Sequence, residues 1–145
     1  MKTASLALAL LAFTAAGTGT AVAAPPEPQR EVIVPAFAHA IANVPGKTLT
    51  ALVVSYAPGA KTLAHRHGQA FVVGYVLEGA IRSKLDNGQE VVYRAGESWT
   101  EQPGAHHAVS DNASATEPAK LLAIFVADSK EKNLVTLDKL SLIHI

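Results

Sequence analysis

The chain has no cysteine, so no disulfide holds it together and its core must suffice. Excess charge of one sign is also lacking. Twelve Lys and Arg stand against twelve Asp and Glu, with no basic stripe, which argues against nucleic acid or anionic lipid as the main partner. Past the first two dozen residues there is no apolar run near the roughly 20 residues a bilayer span requires. No long internal repeat is present.

The one apolar run opens the chain. "MKTASLALALLAFTAAGTGTAVAA" carries Lys2, then Ala, Leu and Phe, then small residues. That is the pattern of a cleavable signal peptide, with the cut expected between Ala23 and Ala24. Its apolar part, about a dozen residues, is too short for an anchor. Residues 1–23 are therefore read as removed and the mature protein as periplasmic or secreted, with no stable membrane insertion. Residues 24–30, "APPEPQR", are a flexible proline-rich leader. The remainder is the size of one domain. A mature chain of about 120 residues can bury about two-thirds of its unfolded surface.

What remains is strand and turn. "EVIVPAF" (31–37) is β-branched, and Pro35 places it at a sheet edge. "TLTALVVSYA" (48–57), "KTLAHRH" (61–67), "AFVVGYVLEG" (70–79) and "KLLAIFVAD" (120–128) read as strands. In "AIRSKLDNGQEVVYR" (80–94), Asp86-Asn87-Gly88 predicts a two-residue hairpin turn. Only 129–140 could add a helix outside the signal peptide. Many short strands with Gly, Pro and Asn turns predict an all-β domain over 31–140, a sandwich or barrel. "SLIHI" (141–145) follows no turn or core pattern. It reads as a short terminal strand or as a tail foreign to the domain, and His144 is set aside with it.

The chemistry sits in "AHRHGQAFVVGYVLEG" (64–79). Alternate strand residues share a face, so His65 and His67 project together and two ring nitrogens can converge on one ion. Neutral imidazole suits Fe, Mn, Ni, Cu and Zn. A third ligand must come from elsewhere. His106 and His107 follow a Pro-Gly turn and, being adjacent, point to opposite faces. Alone, a His-x-His pair is more often two surface polar residues.

The flanking residues add weight. Gly59, His65, His67 and Gly79 fit the first motif of the cupin superfamily, and Gly96, Gly104 and His107 fit its second. The chain resembles that superfamily over about residues 45–128. Pro103 stands one residue late, with Gln102 at the motif's proline, and Asp111 holds the terminal Asn position beside Asn112. The resemblance implies a single-domain jelly-roll β-barrel with one divalent metal ion inside, held by His65, His67 and His107. The acidic ligand of the first motif is missing: counted back from Gly79 its position is Val72, the shorter spacing gives Phe71, and neither can bind a metal. Gln69 continues the parity of the pair and is a candidate additional ligand. Glu101 lies just before the Pro-Gly turn. It is the candidate catalytic residue, as ligand, acceptor or general base.

Other residues have plainer readings. His39 reads as a loop or edge residue and His106 as facing solvent or the sheet interface. Trp99, Phe71 and Tyr75 read as core, with Trp99 sharing the parity of Glu101. Asp111 and Asn112 read as turn formers, and "NAS" (112–114) is formally a glycosylation sequon. Three functions follow from the resemblance. One is an enzyme of the dioxygenase type acting on a small oxygen-bearing molecule. Another is a small-molecule binding or sensing module. The last is a metal-free barrel that associates through its edge strands, and a homodimer through those edges is expected in any case.

Overall fold

The computed structural model describes residues 31–138. The expected signal peptide, the leader and residues 141–145 lie outside them. Among the described residues there are strands and turns and no helix. Eleven strands run β1 Val32–Ala40, β2 Lys47–Tyr56, β3 Lys61–Thr62, β4 His65–Arg66, β5 Phe71–Glu78, β6 Ala80–Leu85, β7 Val91–Arg94, β8 Ser98–Glu101, β9 His106–Asn112, β10 Ala119–Asp128 and β11 Thr136–Leu137. One sheet has the order β1-β2-β10-β5-β8. The other is β11-β4-β9-β6-β7, with β3 also paired to β9. Every pairing is antiparallel.

The core lies between the two sheets. β10 shows how the sequence makes it. Leu121, Ala123, Phe125 and Ala127 point inward and are buried, while Leu122, Ile124 and Val126 face the other way and are half-buried. A strand paired on both edges suits such an apolar run. Val54, Tyr56, Val72 and Val76 join it from the same sheet, and Ile81 from the opposite one. β1 pairs only with β2, so the strand carrying Pro35 is an edge, and the ladder slips between Pro35 and Phe37.

Two close approaches need glycine. At Gly79, φ is +70° and a Cβ would stand 2.5 Å from the Pro118 carbonyl oxygen, so both conformation and space exclude a side chain. At Gly74, a Cβ would meet the Trp99 ring at 2.5 Å. The bare backbone there leaves room for the indole against β5.

The structure corrects four local expectations. The stretch 61–67 is two short strands, with Leu63 and Ala64 unpaired between them. The hairpin connection is longer than two residues. β6 leaves β7 after the Ser83–Val91 pair, and Lys84 and Leu85 continue along β9 alone. Asp86 draws the turn onto β9. Its N–H donates to the His106 carbonyl at 2.7 Å and its Oδ1 accepts the His106 N–H at 3.0 Å. Asp86, not Asn87, takes the positive φ of 47°. The segment after residue 128 does not form a helix over its described part, because Thr136 and Leu137 pair with β4. Tyr75 is 39 % exposed, since it faces away from the core on β5.

Asp111 is a buried strand residue, not a turn former, whereas Asn112 is buried at the end of β9 and does form a turn through its side chain. Asn112 Nδ2–H donates to the carbonyls of Ala57 at 3.1 Å and Glu117 at 2.7 Å, and its Oδ1 accepts the Ser114 N–H at 2.9 Å. Both amide protons are engaged beneath a loop, so the sequon has no accessible acceptor nitrogen in the folded protein.

Candidate metal centre

Two rows of paired residues face each other across the interior. In one sheet His65 pairs with His107, which pairs in turn with Leu85. In the other, Phe125 pairs with Val72 and Val72 with Glu101. The alternation that puts His65 inward does the same for His67 two residues on, while Arg66 between them is exposed. Arg66 donates to the Gly104 carbonyl at 2.9 Å, and the Gly104 N–H donates to the Gly68 carbonyl at 2.7 Å. These bonds tie the turn after the histidine pair to the Pro-Gly turn before His107.

His65, His67 and His107 are all buried, and each offers a nitrogen within 4.8 Å of the other two. Their tautomers follow from their partners. His65 Nδ1 is 2.7 Å from the Leu63 carbonyl, and His67 Nδ1 is 2.7 Å from the Leu134 carbonyl. A carbonyl only accepts, so both Nδ1 atoms carry the proton. Both Nε2 atoms are then bare in the neutral rings, and they stand 3.1 Å apart. Burial opposes the protonation that would relieve this contact. It lowers the His67 pKa and takes that of His65 from 6.5 to about 4. Two lone pairs facing each other at that distance call for a cation between them. Two donors about 2.1 Å from a shared ion, at angles between square and tetrahedral, stand about 3.0–3.4 Å apart. The donor set therefore fits a divalent metal.

His107 and Glu101 complete the cluster. His107 Nε2 meets the Ser83 hydroxyl at 2.9 Å and its Nδ1 is 3.1 Å from Glu101 Oε1. Glu101 can only accept, so Nδ1 carries the proton and Nε2 takes the Ser83 hydroxyl as its donor. Glu101 Oε1 also accepts the Trp99 indole N–H at 3.1 Å. Oε2 is buried without a hydrogen-bond partner, 3.5 Å from His67 Nε2. Burial alone would raise the Glu101 pKa, but His107, His67 and the indole N–H together hold it below its ordinary value. Glu101 is therefore an ionised carboxylate among imidazoles.

These shifts give the metal-free protein a pH dependence. The unfolded chain binds the His65 proton near pH 6.5 and the folded chain only near 4. Between those values the unfolded state holds more protons, so stability falls as pH falls and levels off below about 4. His67 acts in the same direction. Glu101, depressed when folded, adds stability above its unfolded pKa that is lost as pH drops through the folded one. His65 alone accounts for about 3 kcal/mol. Urea unfolding of the metal-free protein at pH 7.5 and pH 4.5 reads this loss, and equal midpoints would contradict it.

A cavity of about 50 Å³ adjoins the cluster. Leu52, Val54, Val72, Leu121 and Phe125 give it apolar walls, and Tyr56, Thr62 and Ser110 form a hydroxyl group within it. Trp99 also lines it, in keeping with its parity with Glu101. Gln69 does not. Gly68, at φ +57°, turns the chain outward after His67 and leaves Gln69 exposed beside Ala70 and Glu131. His39 is exposed on β1, and His106 faces Asp138 at 2.7 Å on the outside. Three contributors are not visible in the sequence: Ser83, the Leu134 carbonyl and Val135, which lines the cavity. A hydroxyl on β6 and a carbonyl in an irregular segment leave no spacing signal.

Comparison with known proteins agrees with this architecture. The cupin domain family matches residues 52–125. No curated protein matches the chain significantly. Among solved structures, a conserved protein with a double-stranded β-helix domain from Klebsiella pneumoniae superposes with a TM-score of 0.60. It is 16 % identical, over 80 % of this chain and 90 % of its own. The TT1209 protein from Thermus thermophilus gives 0.55 at 24 % identity, over 68 % and 85 %. A recombinant oxalate oxidase in complex with glycolate gives 0.58 at 21 % identity, over 77 % of this chain and 56 % of its own. The family match covers half of the chain, from β2 to β10, and contains all three inward histidines, so the protein belongs to the cupin family.

Proposed function

We propose that this cupin holds one divalent ion on His65, His67 and His107 and uses it to oxidise a small oxygen-bearing molecule with O₂, as a dioxygenase-type enzyme. The observation that carries the reading is the convergence of three buried imidazole nitrogens within 4.8 Å beside an apolar cavity. Imidazole ligation suits Fe, Mn, Ni, Cu or Zn, with the compartment's supply deciding among them. When bound, such an ion supplies Lewis acidity and, if redox-active, the electrons for O₂ chemistry.

The chain's own residues do the rest. The carbonyls of Leu63 and Leu134 fix two rings by accepting their Nδ1 protons. Trp99 and His107 hold Glu101 in place through Oε1, leaving Oε2 toward the site. The apolar walls exclude bulk water and raise the worth of each charge inside. A cavity of about 50 Å³ admits a few non-hydrogen atoms beside the ion. A short hydroxy- or keto-acid suits that size, and the neighbouring oxalate oxidase structure holds glycolate, a molecule of this kind.

The protein is expected to act in the periplasm or outside the cell, from the signal-peptide pattern of residues 1–23. It is also expected to pair with a second copy through β1, where Val32, Ile33, Val34 and Phe37 are exposed on an edge strand. Sedimentation at the monomer mass would refute the pairing.

Oxygen uptake by the metal-loaded protein, screened against short hydroxy-, keto- and dicarboxylic acids, tests the catalytic reading. One substrate class should drive uptake above the rate of free metal. No uptake with any of them, together with a rise in melting temperature on adding the same acids, would replace the enzyme by a binding module.

A further inference from the structure

The first-motif acid is absent from β5, yet an acid stands directly opposite its place. Val72, at the position where the family carries its acidic ligand, pairs across the ladder with Glu101 on β8. We infer that the carboxylate has crossed to the neighbouring strand, and that Glu101 Oε2 is a fourth ligand of the ion. This rests on the three-histidine site proposed above and adds a ligand to it.

Paired residues on antiparallel strands project to the same face with their Cβ atoms about 4.5–5.5 Å apart. A Glu side chain spans that offset, so the same oxygen position can be reached from either strand. The spacings agree with a shared coordination shell. His65 Nε2 to His67 Nε2 is 3.1 Å, and His67 Nε2 to Glu101 Oε2 is 3.5 Å. Each is near the separation of adjacent donors about 2.1 Å from a common ion.

The hydrogen bonds of Glu101 point the same way. Oε1 is engaged by Trp99 and His107, while Oε2 is buried, 3.5 Å from a bare nitrogen, with no hydrogen bond. A buried carboxylate oxygen without a donor is costly unless a cation meets it. Val72 fills the vacated position with 1 % exposure and lines the cavity, so there the wall gains an apolar side chain while the site keeps a carboxylate.

The test is metal affinity, not turnover. Titration of the metal-free full-length protein with Mn²⁺ or Co²⁺ alone, followed by calorimetry, gives the reference. Glu101→Gln keeps shape and removes the anionic ligand, and its affinity should fall at least tenfold. Restoring the acid on β5, in the Val72→Glu, Glu101→Gln double variant, should recover most of that loss. The Co²⁺ absorption bands should change in Glu101→Gln and return toward wild type in the double variant. If Glu101→Gln does not fold, Glu101→Asp keeps the charge but shortens the reach, and it should also bind at least tenfold more weakly. Unchanged affinity in a folded Glu101 variant overturns the inference, and loss of turnover alone would make Glu101 a general base. His67→Ala separates the two readings. If it abolishes binding while the Glu101 variants bind normally, the histidine site stands and the fourth ligand falls. A wild-type protein that takes up no ion ends both.

Discussion

His67→Ala should take metal content from one ion per chain to none. His67 is the hinge of the cluster: its Nε2 lies 3.1 Å from His65 Nε2 and 3.5 Å from Glu101 Oε2. Neither neighbour can replace the ring, since Gln69 is turned outward and Val72 has no donor atom. Loss of the ring also leaves the Leu134 carbonyl without its N–H partner, loosening the segment that leads to β11. Metal that binds only the folded state stabilises it, by about 4 kcal/mol at a thousandfold excess over Kd. Added metal should therefore raise the melting temperature of wild type and leave that of His67→Ala unchanged. A variant that still binds one ion with wild-type affinity would remove this ring from the site.

Phe125→Ala should be the most damaging core substitution, costing about 3–5 kcal/mol. Phe125 is among the largest fully buried side chains, at 1 % exposure on the central strand β10. Its ring meets His67 in an edge contact with centroids 5.1 Å apart and lines the cavity. β10 is clamped between β2 and β5 over most of its length, so the backbone cannot close the void. Against a total stability of about 5–15 kcal/mol, such a loss leaves a marginal fold. Denaturant unfolding reads the change as a lower midpoint at unchanged slope. A cost below about 1 kcal/mol, small for such a truncation, would mean that the interior is not packed around this ring.

The fold class and the histidine pair are legible in the sequence because both are period-2 signals. β-branched runs broken by Gly and Pro mark strands, and alternation alone puts His65 and His67 on one face. What the sequence does not carry is anything set by pairing between distant strands. Only the register of β5 against β8 places Glu101 opposite Val72. Only the docking of β11 on β4 brings the Leu134 carbonyl to His67 and turns a stretch that could be helical into an extended strap. The hairpin turn departs from its local signal for a similar reason, since β9 captures Lys84 and Leu85 and outweighs the preference of Asn-Gly. Gln69 falls outside the site because strand parity does not continue through Gly68, where the backbone turns.

Diffraction at the metal's absorption edge, on crystals of protein recovered folded from its own compartment, addresses the central claim most directly. One anomalous peak should appear inside the barrel, within about 2.0–2.3 Å of His65 Nε2, His67 Nε2 and a His107 nitrogen. An interior without a cation, or a peak at the outer histidines instead, would contradict the account.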